Sequence, residues 1–484
     1  MSLVFIPLYI KFMGIESYGL IGIFVSLIAL LAILDMGLSS TLSRELARLS
    51  TSKDSAQESR DLVRTMEFVY WGVGIIIGVG FLALAPLIAH YWVKTQGIPV
   101  QIVQRAVLIM GLVVAFQWPA SLYDGGLIGL QRQVLLNIVR SVMATVQHMG
   151  AVLVLWLISP SILAYFTWQI FISILQTLIL AYFVWKSLPI TQKQSAFQKH
   201  LLRKNWRFAA GMTSISIVAT ILTQTDKIIL SKLLTLRVFG YYMLAVNVAN
   251  ALSYLVQPIS AALFPKLSQL VLDEDKTNLF ALYHNGCKLA SLIVLPAAMT
   301  LALFSKEILT LWIRDPEIVQ HAFFLVSLMV IGTAMNSLMV LPYILQLSHG
   351  WTKLVFSQNV ISTILLVPLM IFMVNNFGAV GAPMVWIVLN AGYLFIMIPL
   401  MHKRILTSEM KQWYLLDIGA PLLIISGIVL IARFLLPADT SKYVILVWVV
   451  LTPVIAFIIA FLALPTTHAW IDWAKLRKFD FSLK

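Results

Sequence analysis

Residues 11–49, KFMGIESYGLIGIFVSLIALLAILDMGLSSTLSRELARL, align without a gap on residues 232–270, KLLTLRVFGYYMLAVNVANALSYLVQPISAALFPKLSQL. About nine positions are identical at this constant offset, and the identical pairs include Lys11 and Lys232, Gly19 and Gly240, and Ser39 and Ser260. A leucine-rich alphabet produces chance matches, but further matches follow in the same order, since Trp92-Val93-Lys94 corresponds to Trp312-Ile313-Arg314. We therefore predict that the chain arose by internal duplication.

The composition excludes a water-soluble globular protein. Of the 484 residues, 60% are hydrophobic and 11% are charged, and the mean hydropathy is +0.92. Soluble domains carry roughly 25% charged residues. Apolar runs of roughly 20 residues, enough to cross a bilayer core, recur along the whole chain with short polar breaks. The predicted fold class is therefore an all-α polytopic membrane protein.

The sequence also argues against several classes of function. The net charge of +14 does not indicate a nucleic-acid partner, because the basic residues lie in short loops and form no aromatic-interleaved patch. Membrane topology and anionic lipid headgroups explain this charge better. The single cysteine, Cys287, excludes an internal disulfide or a thiolate metal cluster. Because the sequence contains no nucleophile–base constellation, metal-ligand cluster or nucleotide-binding motif, we expect no enzyme activity, cofactor or metal.

Hydropathy predicts about fourteen crossings. The full spans are 18–43, 62–89, 102–128, 134–158, 160–185, 208–231, 238–265, 286–305, 319–346, 354–374, 377–400, 413–436 and 443–464. The leading segment, 3–12, is too short to cross alone, and the repeat matches it to the end of the span 208–231. We expect it to be the outer end of a first helix whose beginning is either missing or wrongly assigned at the start of this sequence.

The repeat and the polar breaks predict the domain organisation. The longest hydrophilic break, 186–207, falls where the first copy should end and reads as a cytoplasmic linker. It separates two six-helix lobes, 1–185 and 208–404, and 405–484 adds two transmembrane helices and a cytoplasmic tail. An even number of crossings per lobe makes this a parallel repeat about an axis along the membrane normal. Lysine and arginine are about three times as frequent in one set of alternate loops as in the other, which predicts cytoplasmic termini.

Ionisable residues inside the predicted spans are candidates for function. Each costs at least about 2.5 kcal/mol in hydrocarbon and therefore usually faces a protein interior or a water-filled cavity. Asp35 is one such residue. Asp124 and Arg140 are equally distant in sequence from Arg132 on neighbouring antiparallel helices, so they lie at similar depth. They form either a buried ion pair or part of a substrate or ion site.

Two predicted spans each carry a polar face. Side chains recur at helical steps of three and four at Thr213, Ser216, Thr220, Thr223 and Lys227, and again at Asn247, Asn250, Tyr254 and Gln257. Polar groups that face lipid are costly, so we expect these faces to line a polar interior. Hydrogen bonding between helices is the alternative. Asp226, beside Lys227, either faces the same interior or reaches the lipid headgroups.

Lys11 and Lys232 occupy equivalent positions in the two copies, near the outer end of the expected central cavity. Two cations across a cleft suit an anion such as a phosphate or pyrophosphate, because each ammonium group is a compact charge with three donors. The alternative is that both lysines anchor their helices at the membrane interface.

The two lobe starts resemble a known family. The motifs are Pro7-Leu8-Tyr9, Met13-Gly14, Tyr18-Gly19, Asp35-Met36-Gly37-Leu38-Ser39, Ser43-Arg44-Glu45-Leu46-Ala47, Gly129-Leu130-Gln131-Arg132 with Asn137, and Thr225-Asp226-Lys227 through Gly240-Tyr241. In this order they resemble the polysaccharide-transport proteins, which are Wzx-type flippases of the multidrug/oligosaccharidyl-lipid/polysaccharide exporter superfamily. The resemblance extends over essentially the whole chain.

The resemblance implies that the protein moves a polyprenyl-pyrophosphate-linked oligosaccharide across the cell (inner) membrane by alternating access between two lobes. Such a protein serves surface polysaccharide biosynthesis, and polysaccharide-assembly proteins would be its partners. The cavity of relatives maps here onto Lys11, Asp35, Arg44, Lys227, Lys232, Asn247, Asn250 and Gln257. Basic residues would bind the pyrophosphate, and Asp35, Asp124 or Asp226 would bind the coupling ion, Na+ or H+.

Two other functions remain open. A multidrug and toxin extrusion antiporter shares the architecture, but the basic residues Lys11, Lys227 and Lys232 argue mildly against a cavity for cationic drugs. A membrane-embedded glycan polymerase or ligase would need a large outer loop for its acceptor, and the predicted outer loops are short.

Overall fold

The computed structural model describes residues 2–50, 55–437 and 441–464, and it leaves out the side chains of Ser2, 204–216, Ala219, Thr352 and Val355. The side chains of Thr213 and Ser216, which belong to a predicted polar face, therefore lie outside the described part. The predicted tail after residue 464 also lies outside it. The described residues are almost entirely helical, which confirms the all-α prediction.

Nine helices form the first stretch of the described chain. They are α1 (Ser2–Leu31), α2 (Leu38–Leu49), α3 (Ala56–Leu87), α4 (Val100–Gln117), α5 (Ala120–Gly129), α6 (Gln133–Leu157), α7 (Ile162–Ser187), α8 (Lys199–Leu233) and α9 (Leu236–Leu272). Ten more follow among the described residues. They are α10 (Lys276–Leu303), α11 (Ser305–Trp312), α12 (Pro316–Leu338), α13 (Val340–Ser348), α14 (Thr352–Phe377), α15 (Gly381–Gly392), α16 (Ile398–Ile405), α17 (Met410–Gln412), α18 (Ala420–Leu435) and α19 (Lys442–Ala463).

Polar side chains define several helix starts. Ser161 Oγ accepts a hydrogen bond from the Ala164 amide at 3.2 Å at the start of α7. Asp275 accepts one from the Asn278 amide at 3.1 Å at the start of α10. The side-chain and backbone hydrogen bonds from Asn278 lower the pKa of Asp275. These caps satisfy amides that have no partner within the helix, so they help to define where α7 and α10 begin.

Eleven helical stretches in the described part are long and apolar enough to cross a membrane. One of them, Phe356–Ile405, contains two of the predicted spans, and another, Leu3–Asp35, contains the leading segment together with the next span. Helix α8 covers the predicted span 208–231 and is not among the eleven. The predicted segments are therefore mostly helical, with breaks inside some of them, which agrees with a polytopic membrane protein.

Breaks in the backbone fall at equivalent places in the two copies of the repeat. Gly14 has φ 79° and interrupts α1, so that a new helical segment starts at Ile15. At the repeat offset, Ile15 corresponds to Leu236, which is the first residue of α9. The positive φ suits glycine because it has no Cβ. The duplicated sequence thus encodes the same helix boundary twice.

The predicted span 18–43 is wrong as a continuous helix. Helix α1 ends at Leu31, a 3-10 turn covers Ala32–Asp35, and α2 starts only at Leu38. Met36 and Gly37 between them have φ 46° and 71°. These left-handed residues end one helix and redirect the chain, and hydropathy does not register the turn because its residues are apolar.

The chain divides into two compact units at the bond between Gly240 and Tyr241. Helix α8 belongs to the first unit because it lies against α1, α2 and α3. The lobe and linker boundaries inferred from the repeat, 1–185, 186–207, 208–404 and 405–484, stay predictions.

The added helices α18 and α19 share a core with α10 in the second unit. Leu292 and Leu295 of α10 are buried against Ile425 and Val429 of α18, and Ala456 of α19 is fully buried in the same cluster. A small residue at this position lets two helices approach closely. The two helices beyond the repeat are therefore an integral part of this unit's packing.

Candidate substrate and ion-coupling sites

Asp35 lies at the turn between α1 and α2. Ser39 Oγ donates a hydrogen bond of 2.8 Å to one carboxylate oxygen, and the buried Tyr70 hydroxyl of α3 donates to the other. The side chain is half-buried, so the carboxylate is held in position and still has an accessible side. A carboxylate at a break between helices, inside the membrane part of a protein, is a chemically suitable site for a cation or a proton.

Arg44 is part of an ion-pair cluster at the exposed end of α2. Its guanidinium lies 2.7 Å from Glu45 Oε1, and Arg48 lies 2.9 Å from Glu45 Oε2. Burial acts to raise the pKa of Glu45, but the hydrogen bonds and charges of the two arginines outweigh it and lower the pKa. The Arg44 side chain is 50% exposed.

Asp124 and Arg140 form an ion pair between α5 and α6. Arg140 Nη2 lies 2.6 Å from Asp124 Oδ2, and the side chains are 48% and 20% exposed, respectively. The structure thus brings together a predicted ion-coupling residue and a predicted substrate-binding residue, as their equal depth suggested. The two residues do form an ion pair, but with Arg140 48% exposed it is not the buried pair of the structural alternative, and a role in transport stays a prediction.

Lys227 and Asp226 pair with each other on α8. The Lys227 ammonium lies 3.1 Å from Asp226 Oδ1 and donates a 2.6 Å hydrogen bond to the Thr223 carbonyl. Both side chains are largely shielded. Their charges therefore compensate one another locally, and either side chain would have to leave its partner to bind substrate or ion.

Lys232 is exposed and contacts the helical turn Ile88–Trp92 that follows α3. It donates to the Tyr91 carbonyl, and its ammonium lies 5.6 Å from the centre of the Trp92 ring. Its repeat equivalent, Lys11, is also exposed. Attachment to a tryptophan at a helix end is typical of an interfacial anchor, so the structure supports that alternative for Lys232 while leaving its charge accessible.

The polar face of α9 is accessible over most of its length. Asn250 and Gln257 are exposed, whereas Asn247 is half-buried and donates a 2.8 Å hydrogen bond to the Met243 carbonyl. These amides can hydrogen-bond the hydroxyl groups of a sugar.

Sequence reasoning missed a buried charged cluster in the second unit, formed by His284, Lys288, Glu409 and Asp417. Asp417 is fully buried and contacts His284 Nδ1, while Lys288 Nζ lies 3.8 Å from its other oxygen. Glu409 lies 3.2 Å from His284 Nε2. Asp417 and Lys288 both lie inside predicted spans, so their position in hydrocarbon was a usable signal.

A second missed cluster surrounds Glu67 of α3 in the first unit. The buried carboxylate accepts hydrogen bonds from Tyr123 at 2.9 Å, Trp185 at 2.7 Å and Arg64 at 2.9 Å. It borders an open cavity of about 310 Å³.

Within the described residues, no group of three His, Cys, Asp or Glu side chains is arranged to hold a metal ion.

The fold defines the class of protein. The structure superposes on that of "Lipid II flippase MurJ, inward closed conformation" with a TM-score of 0.68 and 14% identity, covering 95% of each chain. It also matches "Inward-facing conformation of a multidrug resistance MATE family transporter of the MOP superfamily", with a TM-score of 0.69, 13% identity and coverage of 85% of this chain and 94% of that one. At these identities the likeness concerns the fold alone. The protein is a polytopic membrane protein with this transporter fold.

The chain belongs to the family described as "Polysaccharide biosynthesis protein", whose model matches residues 1–271. It is 22% identical to a "Putative O-antigen transporter" of Shigella flexneri over 381 residues, which cover 77% of this chain and 87% of the relative. It is 25% identical to "Lipopolysaccharide biosynthesis protein WzxC" of Escherichia coli (strain K12), over 45% of this chain and 43% of the relative. These findings confirm the resemblance to Wzx-type proteins.

Proposed function

We propose that this chain is a flippase that moves a polyprenyl-pyrophosphate-linked oligosaccharide across the cell (inner) membrane. The transported oligosaccharide would be used to build a surface polysaccharide such as O-antigen, capsule or exopolysaccharide. The observation that carries the proposal is the family match over residues 1–271, together with the O-antigen transporter and WzxC as relatives. The fold shared with a lipid II flippase supports it.

The proposed path for the anionic head of the substrate uses accessible cations and amides. Lys11, Arg44, Arg140 and Lys232 have exposed side chains, and Asn250 and Gln257 present amides on α9. Ammonium and guanidinium groups bind phosphate oxygens by charge-assisted hydrogen bonds. Amides bind sugar hydroxyls whether or not the sugar is charged. This property suits a protein that transports different oligosaccharide units. Lys227 and Asn247 would join the path after leaving their present partners.

The proposed energy source is an ion gradient. The proposed orientation places both termini in the cytoplasm. The sequence contains no recognisable nucleotide-binding motif, so transport would be coupled to Na+ or H+. Among the three acidic candidates, Asp35 is the best placed, because its present partners are neutral donors. Asp124 and Asp226 are each paired with a cation.

A second candidate function is ion-coupled export of small molecules, favoured by the likeness to a multidrug transporter fold. The two functions require opposite charges in the substrate path. A flippase for a pyrophosphate-linked lipid needs cations there, whereas export of cationic drugs needs carboxylates. The exposed lysines and arginines favour the flippase.

Complementation of a flippase-null cell with a matched pathway tests the proposal. The parent chain is expected to restore surface polysaccharide. A variant carrying Lys11→Ala and Lys232→Ala is expected to lower transport at least about tenfold, because a hydrogen bond to a charged group is worth roughly 1.5–3 kcal/mol. Polysaccharide per cell, normalised to protein in the membrane, is the measurement.

The matched control is Lys306→Ala, which removes another exposed lysine of the same predicted outer set. It is expected to leave polysaccharide unchanged. If the double lysine variant makes a normal amount of polysaccharide, Lys11 and Lys232 do not bind the substrate. Failure of the parent chain in every matched pathway, with drug resistance gained in its place, would favour the exporter.

A further inference from the structure

The cavity next to Glu67 in the first unit has a charged end and an apolar end. It lies between α3, α5 and α7 and opens to the outside of the unit. Arg64, Glu67 and Tyr123 form its polar end, and Phe68, Trp71 and Leu178 line the apolar part. Trp71 lies two helical turns beyond Arg64, a distance of roughly 10 Å along the helix axis. A ligand that fits must therefore be amphipathic.

Arg64 of the charged end and the neighbouring Arg60 both contact one indole ring. The Arg60 and Arg64 guanidinium carbons lie 5.2 Å and 5.1 Å from the centre of the Trp185 ring. The indole itself is fixed by its 2.7 Å hydrogen bond to Glu67. Cation–π contact orders both arginines without using their hydrogen-bond donors.

The carboxylates nearby do not saturate these cations. Glu67 already accepts three hydrogen bonds, and Asp61 Oδ1 accepts from the Gln57 side chain and the Ala196 amide. Both acids thus already accept hydrogen bonds from other groups, whereas Arg64 is 45% exposed. The Arg64 guanidinium therefore keeps donor capacity for an anion.

The position of the cavity relative to the membrane matches this polarity. Helix α3 enters its apolar stretch after Glu67, and the exposed Phe68 and Leu178 side chains face outward. Arg60 and Lys186 lie at the ends of α3 and α7 that leave the apolar region. The positive end thus lies at headgroup level, and the apolar end lies at the level of the acyl chains.

We propose that this cavity binds one anionic glycerophospholipid of the surrounding bilayer. Its phosphate contacts Arg60 and Arg64, and the first part of an acyl chain lies against Phe68, Trp71 and Leu178. The lipid is a bound component of the first unit, separate from the transported substrate. It lies beside the segment after α7, which is attached to α3 by the 3.3 Å hydrogen bond from Arg60 to the Pro189 carbonyl.

Lipid binding to the purified full chain in neutral detergent tests the proposal. The probes are dioleoylphosphatidylglycerol, dioleoylphosphatidylethanolamine and inorganic phosphate, and the measurement is bound lipid by native mass spectrometry at increasing concentration. Phosphatidylglycerol is expected to bind as a single saturable adduct. Arg60→Gln with Arg64→Gln is expected to weaken this binding by about fivefold per arginine, because each basic residue near the surface contributes that factor.

Two matched variants separate the charge from the cavity. Arg132→Gln removes an exposed arginine elsewhere in the first unit and is expected to leave binding unchanged. Ala181→Phe fills the cavity while keeping both arginines, and it is expected to abolish the saturable adduct. Equal phosphatidylglycerol binding by the parent and the double arginine variant would overturn the proposal.

The other probes decide which chemistry is recognised. Equal binding of phosphatidylethanolamine would contradict selectivity for an anionic lipid, and displacement of phosphatidylglycerol by millimolar phosphate would show a site for a free anion instead. Because none of these measurements requires transport, their outcome is independent of the proposed flippase function.

Discussion

Replacing Asp417 by alanine is expected to destabilise the second unit by about 3–5 kcal/mol, the cost of leaving buried charges without their partner. Asp417 is fully buried, and His284 and Lys288 beside it are each about 5% exposed. Without the carboxylate, Glu409 is the only acid left in the cluster. The thermal midpoint of the purified protein is expected to fall by roughly 10 °C.

A double-mutant cycle identifies the cause. Asp417→Ala combined with His284→Ala is expected to cost less than the sum of the two single changes, with a coupling of about 0.5–3 kcal/mol. Asp273→Ala is the control, because this aspartate is exposed and its removal should change stability by less than about 0.5 kcal/mol. An Asp417→Ala midpoint equal to that of the control would show that the cluster does not stabilise the unit.

Replacing Gly240 by leucine is expected to destabilise the first unit by about 3 kcal/mol or more, since overpacking against backbone cannot be relieved by a rotamer change. A Cβ at Gly240 would meet the Ile15 carbonyl, and a Cβ at Gly19 would meet the Leu236 carbonyl. The contacts are reciprocal: the repeat equates Ile15 with Leu236 and Gly19 with Gly240.

Gly72→Leu is the matched control, because no atom lies within 4 Å of the Cβ that it would introduce. Both substitutions raise hydrophobicity equally, so insertion into the membrane is not the difference between them. The measurement is the fraction of monodisperse protein that survives heating, followed by gel filtration. The packing argument fails if Gly240→Leu and Gly72→Leu lose protein at the same temperature.

The repeat predicted more than the number of helices. It makes Gly19 and Gly240 equivalent positions, and these two glycines meet in the structure. Hydropathy failed at Asp35, where it placed an unbroken span. The turn at Met36 and Gly37 depends on backbone angles, which a method that averages hydropathy over a window does not register.

Sequence spacing predicted one contact among the candidate sites and missed another. The sequence predicted that Asp124 and Arg140 lie at similar depth in the membrane, because they are equally distant from Arg132 in the short turn between their helices. The structure pairs them. Asp417 and His284 are separated by 133 positions, and nothing in local spacing connects them. The side chains predicted to bind substrate and ion stay proposals.

By itself, the sequence determined that this protein lies in a membrane and where most of its helices run. These properties depend on local composition and on the order of residues, both of which a single chain displays directly. Only the tertiary structure decided which partner each ionisable group has, such as the indole that Arg60 and Arg64 both contact or the imidazole beside Asp417. Those pairings depend on how helices distant in sequence are rotated and spaced, and residue periodicity specifies a face of a helix without naming its neighbour.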